Sequence, residues 1–144
     1  MFCMIAAEGH MSAALQPKSQ PKTLAAEKHS LAMQGFFSIM EHWKADNATA
    51  RRMLGSPAER TFFEWKRGKV GRLSEDTLRR IGYVAGIWKG LQIVYSQPAH
   101  ADGWPNRSNA SFGGQTPLQR MSAGDVTDLA AVRAYVDAAR GPWS

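Results

Sequence analysis

Cysteine is nearly missing from this sequence: Cys3 is the single one in 144 residues. An internal disulfide framework and a cysteine-based zinc site are thereby excluded, and the usage fits a reducing cytoplasm, where the protein is expected to reside. No uninterrupted apolar run approaches the roughly 18 to 20 residues a spanning helix needs, so no membrane partner is expected. The opening "MFCMIAA" is apolar, but no basic residue precedes it and Glu8 follows, a poor match to a secretory signal, while Met11 offers an alternative start. His10, His29, His42 and His100 are scattered, none with a partner three or four positions away, and read as surface residues rather than metal ligands. A G-x-S-x-G elbow, a phosphate-binding loop and paired carboxylates are all missing, and Cys3 sits in a tail away from any fixed base. The expectation is a protein without catalytic activity, cofactor or metal. Period-two alternation is also missing, so no strand is predicted and the fold class is all-α.

What the chain does have is apolar material and unevenly placed charge. Hydrophobic residues make up 44%, with five Trp and six Phe, enough for one domain or for two small helical units sharing a core. The net charge of +6 comes almost wholly from residues 51 to 80, with nine Lys/Arg against four Asp/Glu, whereas residues 1 to 50 balance. Localised basicity is what a nucleic-acid or anionic-partner surface needs, although a solvated face has the same composition.

Residues 1–28, with "LQPKSQPKT" in their middle, show no periodicity and read as a flexible arm. Residues 29–96 read as a helical unit. Met33, Phe36, Met40 and Trp43 share one face of a first helix, and Asp46 caps a short second one that Gly55 closes. "SPAE", Ser56 to Glu59, has the form of a capping box with Pro57 at the first helical position, opening a helix to Gly68 with Ala58, Phe62 and Trp65 inward. Two short helices about a tight glycine turn make a helix-turn-helix pattern. Ser74 then caps a long helix of about Glu75 to Tyr95, with Leu78, Ile81, Ala85, Trp88, Leu91 and Tyr95 on its apolar face. Gly82, Gly86 and Gly90 form a side-chain-free stripe on it, for close packing within the fold or for a homodimer seam. In residues 97–144, "SQPAHADG" reads as loop, "WPNRSNASFGGQTPLQ" as a segment full of helix breakers, and Val126, Leu129, Val132 and Val136 as the core face of a last helix.

If Ser56 to Gly68 is a recognition helix, Arg60, Thr61, Glu64 and Arg67 point outward, with Arg60 placed to read guanine. Lys66, Arg67, Lys69 and Arg72 are suited to phosphates, which position a protein without specifying sequence. Glu59 and Glu64 weaken the field, so binding should be modest and strongly salt-dependent.

The order "RRMLG", "RTFFEWKRG", "LSEDTLRRIGYVAGIWKGLQIVY" and "WPNRSNASFGGQTPLQRMSAGDVTDLAAVRAYVDAARG" resembles the Xre/MbcA/ParS antitoxins of bacterial type II toxin-antitoxin systems, over roughly Leu31 to Gly141. The resemblance implies a toxin-binding signature at Trp104, Pro105, Asn106, Gly113, Gly114, Pro117, Leu118 and Gly124. The family usually leaves a gap between its Trp and Pro-Asn, whereas "WPN" is contiguous here, so Asn106 and Asn109 both stand as the matching asparagine. The turn "GSPAE" is also one residue longer than in common Xre helix-turn-helices. By implication the C-terminal unit covers the active site of a cognate toxin, typically a RES-domain protein that degrades NAD, and the helix-turn-helix, as a dimer or with toxin bound, represses its own operon by binding operator DNA. Hot-spot composition adds Arg107, Phe112, Arg140 and Trp143 as anchors. The alternative is a stand-alone helix-turn-helix regulator whose C-terminal region only dimerises.

Overall fold

The computed structural model describes residues 21–141, and among them every regular element is helical. The elements are α1 (Pro21–His42), α2 (Asn47–Met53), α3 (Glu59–Lys66), α4 (Glu75–Val94), α5 (Pro98–Gly103), two single 3₁₀ turns at Trp104–Asn106 and Ala110–Phe112, α6 (Pro117–Met121) and α7 (Val126–Arg140). The all-α class is as the sequence implied.

Helix α1 starts inside the stretch read as an arm, so residues 21–28 are helical rather than mobile. Pro21 has its φ preset for the first helical position, and "LAAEK" behind it consists of good helix formers. The helix and the turn after it seat Met33, Phe36, Met40 and Trp43 in the core as the spacing predicts, each at most 3% exposed. It also brings His29 to the backbone of Leu73, whose N–H donates to Nδ1 at 2.9 Å, so this histidine closes a contact rather than idling at the surface.

The expected capping box at Ser56 does not form. Ser56 has φ +57, and its N–H reaches back to the Arg51 carbonyl while the Gly55 N–H reaches that of Arg52. This pair of bonds is a Schellman closure of α2, with Gly55 in the left-handed conformation at φ +92. Ser56 is thus consumed in ending one helix and cannot begin the next; α3 starts after Ala58 without a side-chain cap. Arg51 stiffens the turn by donating from Nε to the Pro57 carbonyl. Elsewhere the predicted caps hold: Asp46 accepts from the Thr49 N–H and Ser74 from the Thr77 N–H.

The long helix α4 is central. It packs most extensively on α7 and next on α1. Because it is covered on two sides, its buried arc is wider than the predicted face and rotated from it: Val84, Ile87 and Leu91 are buried, whereas Ala85 is exposed and Leu78 half-buried. The glycine stripe divides accordingly. A Cβ on Gly86 would collide with the Arg133 guanidinium, and one on Gly90 would sit 2.6 Å from Val136 Cγ1 and 3.4 Å from Arg140 Cδ. Residues 86 and 90 thus abut 133 and 136–140, so α4 and α7 run side by side in the same direction. Gly82 faces open space.

A single core cluster runs from Met33 on α1 to Val136 on α7. The boundary drawn after residue 96 therefore separates two units that share α4. Side chains tie them further. Arg52 Nε donates to the Ser122 carbonyl, and buried Arg80 donates to the carbonyls of Met53 and Gly124 while pairing with Asp76 at 2.8 Å. "SQPAHADG", read as loop, contains α5, opened by Pro98 in the first turn. His100 lies on it, and Asp102 pairs with His42, whose ring rests against Trp88.

Candidate functional site: an aromatic-backed face on the C-terminal half

The segment "WPNRSNASFGGQTPLQ" is ordered by its own polar groups. Asn106 Nδ2 donates to the Trp43 carbonyl at 2.7 Å, fixing the segment to the end of α1. Asn109 closes the next turn: its Oδ1 accepts from the Ser111 N–H, its carbonyl from the N–H groups of Phe112 and Gly114, and its own N–H donates to Gln115. Gly113 and Gly114 have φ +67 and +87, values that suit glycine, and nothing stands within 4 Å above either one. Thr116 and Gln119 form a reciprocal capping box that opens α6, with Pro117 and Leu118 buried beneath. The sequence signal of this box is T-P-L-Q, which carries the [ST]-x-x-[EQ] pattern.

The two aromatics of the segment point inward, each 8% exposed. Between them stands Tyr135 of α7, stacked on Trp104 at 5.8 Å and 22° and tilted on Phe112 at 5.3 Å. Its 37% exposure makes it the one of these three rings that reaches solvent. Arg120, held by Asp128 at 2.9 Å, lies over the Phe112 ring, 6.0 Å from its centroid. Beside Tyr135 opens a slot of about 80 Å³ lined by Leu91, Val94, Tyr95, Trp104, Val136 and Ala139. Ile93 near the end of α4 is 51% exposed. Sequence reasoning missed Tyr135 because it lies one position before the Val136 of the core face; its place three residues after Val132 was the available signal.

The other predicted residues are dispersed around this centre. Arg107 is exposed and donates to the His100 carbonyl at 3.2 Å. Arg140, at the end of α7, lies 3.8 Å from Asp137 and against the Gly90 backbone. Trp143 lies outside the described residues. Gly124 precedes the α7 cap, where Asp125 accepts from the Thr127 N–H; that bond holds the Asp125 carboxyl below the usual carboxylate range. The Thr49 N–H does the same for Asp46 at the start of α2.

The family model of the antitoxin Xre/MbcA/ParS C-terminal toxin-binding domain matches residues 90–142, from the last turns of α4 through the looped segment to the end of α7. The uncharacterized protein y4oB of Sinorhizobium fredii (strain NBRC 101917 / NGR234) is 37% identical over 125 residues, which cover 87% of this chain and 92% of that protein. The chain belongs to the Xre/MbcA/ParS antitoxin family. No solved structure matches it. The slot, Tyr135 and the ordered segment of this antitoxin all fall inside its toxin-binding domain.

The basic window of the antitoxin also takes a definite shape. Arg51, Arg52 and Arg80 spend hydrogen bonds on backbone carbonyls of the fold. Arg60, Lys66, Arg67, Lys69 and Arg72 remain exposed, on α3 and in the segment after it, with Thr61 and Glu64 half-buried. Arg60 leans on Glu64 at 3.4 Å, and Lys66 donates to Asn47 Oδ1 at 2.6 Å. Among the described residues no group of His, Cys, Asp and Glu has the geometry of a metal site, and no helix is long and apolar enough to cross a membrane.

Proposed function

We propose that this antitoxin neutralises a RES-domain, NAD-degrading toxin by laying the face centred on Tyr135 over the toxin's active-site entrance. The observation that carries the reading is Tyr135 itself, a large side chain held at the surface by two buried aromatic rings. Rigid aromatics of this kind bind at low entropic cost and are over-represented among hot spots. The apolar slot between Val94 and Tyr135 supplies a complement to an apolar partner group. Asn106, Asn109, Gly113, Gly114, Pro117 and Leu118 shape the segment, with Trp104 and Phe112 as its footing. The RES identity of the partner rests on the family resemblance alone. Co-expression with the product of the neighbouring reading frame tests the reading: a toxic product that co-purifies and is silenced supports it, and a harmless product that never co-purifies refutes it.

The second arm of the proposal is autoregulation, with α2 and α3 as a helix-turn-helix on operator DNA, used by a homodimer. The outward cations of α3 and the segment after it support this, as does Gly82, which faces open space where a second copy has room. Arg67→Ala should weaken operator binding and flatten its dependence on salt by about one counterion, as measured by titration at several ionic strengths. An unchanged slope would remove Arg67 from the phosphate contacts.

A further inference from the structure

On α3 the residues advance by about 100° each, which puts Arg60, Phe63, Glu64 and Arg67 within one arc of about 100° on the side away from Phe62. Phe62 is fully buried, whereas Phe63 is 39% exposed. Phe63 is nevertheless held in place: its ring meets that of Phe62 edge-on, with centroids 5.1 Å apart at 82°. An aromatic thus stands at one edge of the outward face, with Arg60 one turn before it and Arg67 one turn after. Of the two acids near it, Glu64 is engaged by Arg60, and exposed Glu59 lies one turn before Phe63 at the start of the helix.

Cations alone would suffice for the phosphate backbone, and an apolar ring adds nothing there. An apolar ring flanked by cations fits the floor of a major groove, where the thymine C5-methyl is the one apolar group that a base pair presents. We infer that Phe63 is a specificity-determining residue that packs on thymine methyl groups in the operator while Arg60 and Arg67 hold the helix in the groove. This rests on the operator-binding reading of α3.

The test uses the full-length antitoxin, alone and with its co-purified toxin, and the duplex immediately upstream of its own reading frame, prepared with thymine or with deoxyuridine. Deoxyuridine keeps every hydrogen-bonding group and lacks only the methyl. The thymine duplex should bind more tightly by about fourfold for each methyl covered. Phe63→Ala should bind the two duplexes equally, while Phe63→Leu, which keeps an apolar side chain, should retain part of the preference and show that the helix is intact. Specific binding without discrimination by the wild type, or discrimination that survives in Phe63→Ala, would overturn the role of Phe63 and leave operator binding standing. Failure of both forms of the protein to prefer this duplex over unrelated DNA would overturn both.

Discussion

Trp104 and Phe112 share one role, as the buried footing of an aromatic that another element supplies. Their positions among prolines, glycines and asparagines mark them as anchors, and the structure places them under the surface with Tyr135 above. Composition and motif identified the segment; they did not reveal which aromatic faces outward, because that depends on Tyr135 of α7, 31 positions after Trp104 and 23 after Phe112. The distinction predicts unequal costs. Phe112→Ala removes a buried ring and should lower stability by roughly 3 kcal/mol in urea denaturation. Tyr135→Ala gives up two ring contacts at a partly exposed site, and a loss of about 1 kcal/mol is expected. Similar costs for the two would mean that Tyr135 belongs to the core.

At the scale of elements, periodicity located most of the helices, and capping chemistry located several of their ends. Its misses have physical reasons. Ser56 could serve either the end of α2 or the start of α3, and the local pattern does not show that the Schellman closure takes it. The face of α4 is wider than one apolar stripe because two helices cover it, which is information held by α1 and α7. The glycine stripe marks the difference sharply. Gly90→Ala forces a methyl against Val136, so it should destabilise by about 1–3 kcal/mol even though alanine is the better helix former. Gly82→Ala meets nothing within the protomer and should stabilise by about 1 kcal/mol in a monomeric chain. Thermal denaturation of both variants, combined with sedimentation across concentrations, checks this. A weakened dimer in Gly82→Ala would locate the seam at that glycine.

At the scale of the whole molecule, the described residues share one core, tied by Arg52 and Arg80 to the turn before α7 and by Asn106 to the end of α1. These ties connect residues 44 to 70 positions apart and leave no local pattern in the sequence. Acid should loosen it from its caps. The depressed carboxyls of Asp46 and Asp125 stabilise the fold fully above the ordinary carboxylate range, and that contribution is lost as pH falls through their lowered values. Asparagine caps helices without titrating, so an Asp46→Asn, Asp125→Asn protein should show a shallower acid limb in helicity measured against pH. An unchanged limb would assign acid unfolding to other carboxylates. The central claim, that the face around Tyr135 holds the toxin, is tested most directly by titrating the antitoxin and its Tyr135→Ala variant against the toxic product of the neighbouring reading frame. The prediction is tight binding by the wild type and a loss of about 30-fold or more in a variant that keeps its helix content; full-strength binding by that variant would contradict it.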